Sequence, residues 1–382
     1  MIYLDNAATS LLKPPCVAAA VSDALGAFGG AGRGVHPASV AAGMAVYDAR
    51  ERTARLFGAP SAARVAFALN ATMALNEAIA GLLAPGARAV TTAASHNSVL
   101  RPLFRARDTR GVSVEVAPVN PDGSLDYRAF EALVAPGADL VAVTHASNLT
   151  GDVYDVARMA RAAHEAGALF VLDAAQTAGA YPVDMAALGV DVLCFTGHKS
   201  LLGPQGTGGL CAAEGVEVPA LLEGGSGSRS FDERHPSFMP DALEAGTLNA
   251  HGLAGLAAGL SYIEERGVAR IAAEVSALTR RFEDRVRAIE GVRVLGGGEG
   301  ARCGIVALNV RDADSGAVAD RLAQEFGICT RAGAHCAPLM HKALGTERHG
   351  AVRFSFSHLN TAREVDEAAD ALALIAADVR AG

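Results

Sequence analysis

Short apolar runs alternate with amphipathic stretches through residues 64–210. The apolar runs have the length of strands and are bounded by polar residues or glycine, so they predict buried β-strands. They occupy residues 64–69, 89–92, 112–118, 139–144, 170–173 and 190–195. Residues 73–83 and 155–166, which lie between them, are predicted helices. This alternation of strand and helix predicts a mostly parallel sheet that is wrapped by helices.

The flanking segments predict further elements on both sides of this sheet. Helices are predicted at residues 13–28, 40–57, 253–266, 268–289, 317–326 and 362–379, and strands of a smaller sheet at 292–295, 304–310 and 351–356. We therefore predict an α/β fold with a large domain of residues 16–255. A smaller α+β domain is expected to follow at residues 256–382, with the segment 1–15 packed on it.

Several polar side chains fall at or just beyond the ends of the predicted strands. These residues are Thr72, His96, Asn148, Asp173 and Lys199. Ligands of open parallel sheets bind at the carboxyl ends of the strands, so these side chains are expected to share one site. Thr72 begins a helix, where free N–H groups favour a phosphate. A helix N-cap is the alternative role for this threonine.

Lys199 is the residue around which this site is organised. It follows the apolar run 190–195, and a lysine held at a strand end is partly desolvated, so its amine can be neutral and nucleophilic. A Schiff-base lysine needs such an amine. A lone lysine in a loop is more often a surface residue. Asp173 ends the preceding strand and could pair with a protonated pyridine nitrogen, so the two residues together indicate pyridoxal 5'-phosphate (PLP) chemistry.

The motifs around these two residues resemble those of a known family. The sequence D-A-A-Q at 173–176, followed by T-G-H-K at 196–199, is similar to the fold-type I PLP-dependent transferases of the class V aminotransferase group. R-A-G-A-H-C-A-P-L-M at 331–340 resembles the cysteine loop of SUF-type cysteine desulfurases and selenocysteine lyases. The resemblance extends from D-N-A-A-T at 5–9 to Arg353, with the motifs in the family's order.

The resemblance implies a role for each candidate residue. Lys199 would carry PLP and then move the Cα proton of the substrate, His96 would stack on the pyridine ring, and Asp173 would keep the ring nitrogen protonated. The remaining cofactor residues would be Asn148 and Gln176 at the phenolic oxygen and, at the phosphate, Ala71 through its backbone amide, Thr72, Thr196, His198 and Thr247.

The resemblance also implies a shared site and a substrate subsite. Thr247, in E-A-G-T, would reach the phosphate of the neighbouring subunit's cofactor, so we expect a homodimer. Arg353 is expected to bind the substrate carboxylate with a two-pronged hydrogen bond. Asn6 and His36 are expected to complete the substrate subsite, and R-G-V-H at 33–36 to line its entrance.

Cys336 decides between functions, because only a desulfurase needs a thiol. We predict that it takes sulfur from L-cysteine as a persulfide and leaves L-alanine. His335 and Arg331 are expected to favour the thiolate. The loop departs from the family pattern at Ala334, where a second histidine is common, and Ser95 stands where a glutamate is usual.

Other functions remain open at this point. A selenocysteine lyase would act on L-selenocysteine with the same residues. In an aminotransferase or epimerase of the same fold, Cys336 would be incidental. A sulfur-relay or regulatory protein would have a degenerate site, which the intact Lys199, Asp173 and His96 argue against. The acceptor of the sulfur, expected to be a protein, is not indicated by the sequence.

Composition and charge limit the partners and the cellular compartment that the sequence predicts. The 382 residues are 51% hydrophobic, which is ample for a large core. The formal net charge of −8 gives no general affinity for nucleic acids. The sequence has no apolar stretch long enough for a membrane span and no signal peptide at its start. None of the six cysteines forms a C-x-x-C pair, no metal site is predicted, and a reducing cytoplasm is the expected compartment.

Overall fold

The computed structural model describes residues 1–32, 34–297 and 300–381. The strands are β1 (Ile2–Tyr3), β2 (Val65–Ala68), β3 (Arg88–Thr92), β4 (Ser113–Ala117), β5 (Leu140–Thr144), β6 (Leu169–Asp173), β7 (Val192–Thr196), β8 (Gly208–Ala212), β9 (Val292–Leu295), β10 (Ile305–Val310), β11 (Ile328–Cys329), β12 (Arg331–Gly333) and β13 (Ala351–Ser355). The helices are α1 (Pro15–Ala27), α2 (Pro37–Phe57), α3 (Ala71–Leu82), α4 (Asn97–Arg110), α5 (Tyr127–Val134), α6 (Val156–Glu165), α7 (Met185–Leu188), α8 (Ala250–Arg266), α9 (Val268–Arg287), α10 (Ser315–Phe326), α11 (Pro338–Leu344) and α12 (Ala362–Ala381).

The central sheet has seven strands in the order β2-β8-β7-β6-β5-β3-β4. All pairs from β7 to β4 are parallel, whereas β8 runs antiparallel to both β2 and β7. Thr144 pairs with Asp173, and Asp173 pairs with Cys194, so the carboxyl ends of β5, β6 and β7 lie side by side. The predicted α/β fold with a mostly parallel sheet is therefore confirmed.

Helices cover both faces of this sheet. Every residue of β5 and β7 is buried, which explains why these strands are continuous apolar runs rather than alternating ones. One core contains the inner faces of α3 and α4, and the other contains those of α2, α5, α6 and α8. The core therefore holds the strand ends, and the loops that follow them, in fixed positions.

Strand β8 lies in a glycine-rich segment for which the sequence predicted no strand. A side chain at Gly209 would place its Cβ 2.2 Å from the carbonyl oxygen of Ala66. A Cβ at Gly208 would lie 2.7 Å from the Cα of Asn70. The glycines are therefore required because β2 and the start of α3 approach the strand so closely.

A second sheet of four antiparallel strands, in the order β12-β13-β10-β9, contains the C-terminal part of the chain. The first strand, β1, pairs in parallel with β11, so the N-terminal segment lies against this C-terminal part. The predicted boundary at residues 255–256 falls inside α8, and the division into two domains stays a prediction. Among the helices of the described residues, none combines the length and the apolar character that a bilayer crossing requires.

Candidate active site

One cavity of about 210 Å³ lies where β5, β6 and β7 end. Its lining includes Thr144, Asp173 and Thr196, which are the last residues of these strands. The residues predicted to bind a cofactor line it with the exception of Thr247: Ala71, Thr72, His96, Asn148, Asp173, Gln176, Thr196, His198 and Lys199. The fold therefore gathers them into one site.

Lys199 lies half-buried in the turn after β7. Its carbonyl oxygen accepts a hydrogen bond from Ser10 Oγ at 3.1 Å, which ties this turn to the N-terminal segment. Burial lowers the pKa of the amine from 10.5 to about 8. The attraction of Asp173 opposes this shift, and the positive charges of Arg353 and Arg331 add to it. An amine with a pKa near 8 is partly unprotonated at neutral pH, as a nucleophile requires.

Asp173 is the buried last residue of β6. Its Oδ1 accepts a hydrogen bond from the Ala175 amide at 2.9 Å. Burial raises the pKa of this carboxyl group above its ordinary value, while the Ala175 amide and the charge of Lys199 oppose the shift. A cation placed against such a carboxylate is attracted more strongly than it would be in water, because the effective dielectric constant is lower in the protein interior.

The N-terminus of α3 opens into the same cavity. Asn70 caps the helix, and its Oδ1 accepts a hydrogen bond from the Met73 amide at 3.0 Å. Its carbonyl oxygen accepts from the amide of the residue after Met73, so the amides of Ala71 and Thr72 are left as donors at the cavity. Thr196 Oγ1 is buried in the same lining without a hydrogen-bond partner among the described residues. These donors suit an anionic group such as a phosphate.

His96 is joined to this anion-binding end by one serine. Ser98 Oγ lies 2.8 Å from Thr72 Oγ1 and 2.9 Å from His96 Nδ1. The amide of Ser98 also donates to Nδ1 at 3.0 Å, so the proton of the neutral ring is on Nε2. Burial, assisted by the charge of Lys199, lowers the pKa of His96 to about 4. The ring is therefore neutral at pH 7, with a fixed orientation.

The N-terminal segment holds two other cavity residues. His198 Nδ1 lies 3.0 Å from Thr9 Oγ1, and burial lowers the pKa of this histidine to about 4. Gln176 Nε2 donates to the carbonyl oxygen of Ala7 at 3.3 Å. Residues 7–10 therefore form part of the wall that supports the cavity.

The loop that carries Cys336 is bonded to the edge of this cavity. The amide of Asn97 donates to the Cys336 carbonyl oxygen at 2.9 Å, directly after His96. Asn148 Nδ2 donates to the His335 carbonyl oxygen at 2.5 Å. His335 and Cys336 have φ angles of 49° and 57°, in the left-handed region that non-glycine residues rarely adopt. These two bonds hold the half-buried cysteine in a strained turn next to the cavity.

The imidazole ring of His335 lies inside the cysteine loop. Its ring is buried, stacks on His341 with centroids 6.3 Å apart, and donates from Nε2 to the Arg331 carbonyl oxygen at 3.2 Å. Burial lowers its pKa to about 3, so the ring is neutral at pH 7. The exposed guanidinium of Arg331 is the cation of this loop.

Two of the predicted substrate residues are engaged in contacts with the chain itself. Asn6 Nδ2 donates to the Ser355 carbonyl oxygen at 2.9 Å. Arg353 is buried on β13, where one terminal nitrogen donates to Asp5 Oδ1 at 3.0 Å and the other to the Asn148 carbonyl oxygen at 2.9 Å. Its Nε has no partner among the described residues. Asp5 therefore orients the guanidinium, and a free two-pronged fork is not what the structure presents.

His36 and Thr247 lie apart from the cavity of Lys199. Both line a second, open groove of about 890 Å³ on the surface. His36 is exposed and caps α2, with Nδ1 accepting from the Ser39 amide at 3.4 Å. Arg33, which the sequence placed at the substrate entrance, lies outside the described residues. Within one chain, neither His36 nor Thr247 joins the residues around Lys199.

The chain matches a known protein family over most of its length. The family model described as "Aminotransferase class-V" matches residues 2–368. The chain belongs to the class-V aminotransferase family. A relative in Methanothermobacter thermautotrophicus, described as a probable cysteine desulfurase, is 34% identical over 98% of this chain and 94% of its own length. The family resemblance of the motifs is therefore confirmed.

Solved structures of class-V members agree with the fold. The apo structure of a cysteine desulfurase from Thermococcus onnurineus has a TM-score of 0.92 and 34% identity, and covers 99% of this chain and 95% of that chain. The S-sulfonic acid form of the cysteine desulfurase CsdA from Escherichia coli has a TM-score of 0.88 and 29% identity, with 99% and 94% covered. The chain is similar to both along nearly its whole length.

Class-V enzymes use PLP, and the residues of this cavity fit that cofactor. The amides of Ala71 and Thr72 and the unpaired Thr196 hydroxyl would donate hydrogen bonds to the phosphate. The buried carboxylate of Asp173 would pair with the pyridine nitrogen. Asn148 Oδ1 is also buried without a hydrogen-bond partner among the described residues, as expected of a group that receives a polar ligand.

Three residues that contact the predicted site residues were not identified from the sequence. Ser98 joins Thr72 to His96, Asp5 orients Arg353, and Asn97 holds the carbonyl oxygen of Cys336. Ser98 and Asn97 directly follow His96, so a search of the helix start after a candidate histidine could have found them. The pairing of Asp5 with Arg353 joins residues 348 positions apart and has no local signal.

Proposed function

We propose that this protein is a PLP-dependent cysteine desulfurase that converts L-cysteine to L-alanine and receives the sulfur on Cys336 as a persulfide. The observation that carries the proposal is the cysteine loop, whose carbonyl oxygens accept bonds from Asn97 and Asn148 at the edge of the Lys199 cavity. An incidental cysteine would not need two such bonds, nor two consecutive residues with left-handed backbone. The relatives and structures named above, which are described as cysteine desulfurases, support cysteine as the substrate.

The cavity residues would hold PLP in one orientation. The amides of Ala71 and Thr72, together with Thr196 and His198, bind the phosphate, and Asp173 pairs with the ring nitrogen. His96 is neutral and fixed by Ser98, so it can lie against the ring without adding charge. When bound, PLP supplies an electron sink for a carbanion at the Cα of an amino acid.

Lys199 carries the cofactor and moves the substrate proton. Because burial lowers its pKa to about 8, the amine exists in part as a free base near neutral pH. When the substrate is held by the cofactor, the same nitrogen would be free to accept the Cα proton as a general base. The nearby charge of Arg353 attracts the substrate carboxylate, with its unpaired Nε as the available donor.

Cys336 takes the sulfur in a balanced exchange. Its thiolate attacks the sulfur of the substrate, so that an S–S bond forms as the Cβ–S bond breaks. The electron pair of the broken bond stays with Cβ, which then takes up a proton to give the methyl group of alanine. The enzyme sulfur and the transferred sulfur remain together as Cys336–S–SH, and no external oxidant is consumed.

A homodimer would complete this site. Thr247 and His36 share the second groove, and the neighbouring face of α2 exposes Val40, Met44 and Tyr47, which are spaced for one side of the helix. An apolar helix face of this kind favours contact with another protein surface. A second copy placed there would bring Thr247 to the phosphate end of its partner's cavity.

The proposal also includes a domain boundary and a cellular compartment. We place the boundary between a large and a small domain near α8, because the seven-stranded sheet precedes this helix and the four-stranded sheet follows it. All six cysteines, each of which the structure describes, are free thiols. Free cysteines persist in a reducing compartment, so the proposed compartment is the cytoplasm.

Cys336→Ala provides the test of the proposal. We expect the variant to bind PLP with unchanged visible absorbance. It should form alanine from cysteine about a thousandfold more slowly, which corresponds to an activation free energy that is higher by about 4 kcal/mol. The matched control is Cys16→Ala, an exposed cysteine on α1, which should behave as the parent protein. Alanine formation at the parental rate by Cys336→Ala would contradict the proposal.

A further inference from the structure

The surface beside Cys336 carries two exposed arginines from different elements. Arg331, on β12, is part of the cysteine loop, since its carbonyl oxygen accepts the bond from His335 Nε2. Arg101 lies on α4, one helical turn beyond Asn97, whose amide binds the Cys336 carbonyl oxygen. Residues four apart lie on the same face of a helix, so Arg101 shares the face of Asn97, and its charge acts on the neighbouring His96. One arginine therefore lies on the cysteine loop itself and the other on α4, the helix whose first amide binds this loop.

Neither guanidinium is neutralised by the chain. Within the described residues, Arg101 and Arg331 have no ion pair and no side-chain hydrogen bond. Both charges act on the same ring, because each contributes to the lowered pKa of His96. Glu347, which lies near His341 at the base of the loop, is followed by the exposed Arg348. The rim of the Cys336 site is therefore positive.

This positive rim contrasts with the rest of the molecule. The chain has a formal net charge of −8, so an acidic partner is repelled by the molecule as a whole. The positive charge of the rim would attract such a partner locally, which would both accelerate encounter and orient the partner. Within the described residues, no ion pair or side-chain hydrogen bond occupies either guanidinium, so both charges are available to a partner.

We propose that Arg101 and Arg331 form a docking rim that selects an acidic, thiol-bearing segment of a protein as the acceptor of the sulfur held on Cys336. The inference rests on the proposed function, since it requires the persulfide. In the transfer, the acceptor thiolate attacks the outer sulfur of Cys336–S–SH. A new S–S bond forms on the acceptor as the Cys336 S–S bond breaks, and Cys336 leaves as a thiolate. One persulfide is consumed and one is formed, so no further reductant is needed.

The test compares three synthetic peptides of equal length, each with one cysteine flanked by acidic, neutral or basic residues. The persulfide is first loaded onto the PLP-bound enzyme with L-cysteine and its amount is measured. Single-turnover transfer to each peptide is then followed, with rates expressed per thiolate because flanking charges shift the thiol pKa. At low ionic strength we expect transfer to the acidic peptide to be about tenfold faster than to the neutral peptide. This preference should shrink to about twofold in 0.5 M salt, where exposed charges are screened.

Two variants locate the preference on the surface. Arg101→Gln and Arg331→Gln, each loaded and normalised to its own persulfide content, are expected to lose most of the preference for the acidic peptide. The matched control is Arg161→Gln, an exposed arginine on α6, which covers the opposite face of the sheet. This control should retain the full preference.

The outcomes separate this inference from the proposed function. Failure of the parent enzyme to form alanine and a Cys336 persulfide would overturn the proposed function itself. Persulfide formation without any preference for the acidic peptide would overturn the docking rim alone. A preference that persists unchanged in both rim variants would also overturn it, because the charge selection would then lie elsewhere.

Discussion

Replacing Lys199 by methionine should stabilise the cofactor-free protein. The lysine is half-buried, and its pKa is lowered from 10.5 to about 8, mainly by desolvation. A pKa difference of one corresponds to about 1.4 kcal/mol, so a protonated Lys199 destabilises the folded state by about 3 kcal/mol at pH 7. Methionine is unbranched and of similar length, so it can fill the same space without the charge. At roughly 2.1 cal/mol/K of unfolding entropy per residue, the gain corresponds to about 4 °C in melting temperature.

The pH dependence of the stability difference between Lys199→Met and the parent protein is a second test of the lowered pKa. The folded-state pKa lies below the unfolded value, so both states carry the proton below about pH 8 and the penalty is constant there. Between pH 8 and 10.5 only the unfolded state remains protonated, so the stability of the parent protein rises relative to that of the variant. The advantage of Lys199→Met should therefore disappear by about pH 10.5.

The assay is thermal unfolding of protein prepared without PLP, followed from pH 7 to pH 10. The chain contains only three lysines, Lys13, Lys199 and Lys342, so direct titration of labelled lysines can also measure the pKa of Lys199. The exposed Lys342 provides the matched control, because Lys342→Met should leave the melting temperature unchanged. Equal stability of Lys199→Met and the parent protein at pH 7 would show that the amine is solvated, and would refute the reasoning that it is a poised nucleophile.

Three further changes test other parts of the structure. Ser98→Ala removes the link between Thr72, at the proposed phosphate site, and His96, which is proposed to stack on the ring, so PLP titration should show about fivefold weaker binding, whereas replacement of the exposed Ser113 on β4 by alanine should have no effect. Glu244→Gln leaves Arg50 buried without its charge partner at 2.7 Å, and denaturant unfolding should show a loss of about 3 kcal/mol; an unchanged midpoint would contradict this. Burial raises the pKa of Glu77 from 4.5 to about 8, so the parent protein should lose stability as the pH rises between these values, and Glu77→Leu should abolish that slope in melting curves.

The sequence was sufficient for the parts of the site that depend on strand ends. Asp173 and Lys199 each follow an apolar run, and neighbouring parallel strands end at the same edge of a sheet, so their proximity follows from local pattern and general topology. Thr72 and His96 were predicted for the same reason. The buried strands and most helices also have strong periodic signals, which is why their positions were found to within a few residues.

Other contacts could not be predicted because they depend on distant pairings. The bond from Asn148 to the His335 carbonyl oxygen joins residues 187 positions apart, and it requires the smaller sheet to lie against the larger one. The neutral state of His335 follows from its burial against His341, which no local pattern reports. Strand β8 was missed because its glycines, which permit close packing, have the composition of a turn.

The pairing of the N-terminal segment with the end of the chain sets the order in which the site can be completed during synthesis. Asp5 binds Arg353, which is 348 residues further along, and Asn6 binds the carbonyl oxygen of Ser355. At roughly 5–20 residues per second, the ribosome adds the partner of Asp5 about 20 to 70 s after Asp5 itself. The central sheet can form on the nascent chain in this interval, whereas β1 must wait. The proposed binding site for the substrate carboxylate can therefore form only after Arg353 and Ser355 have been translated.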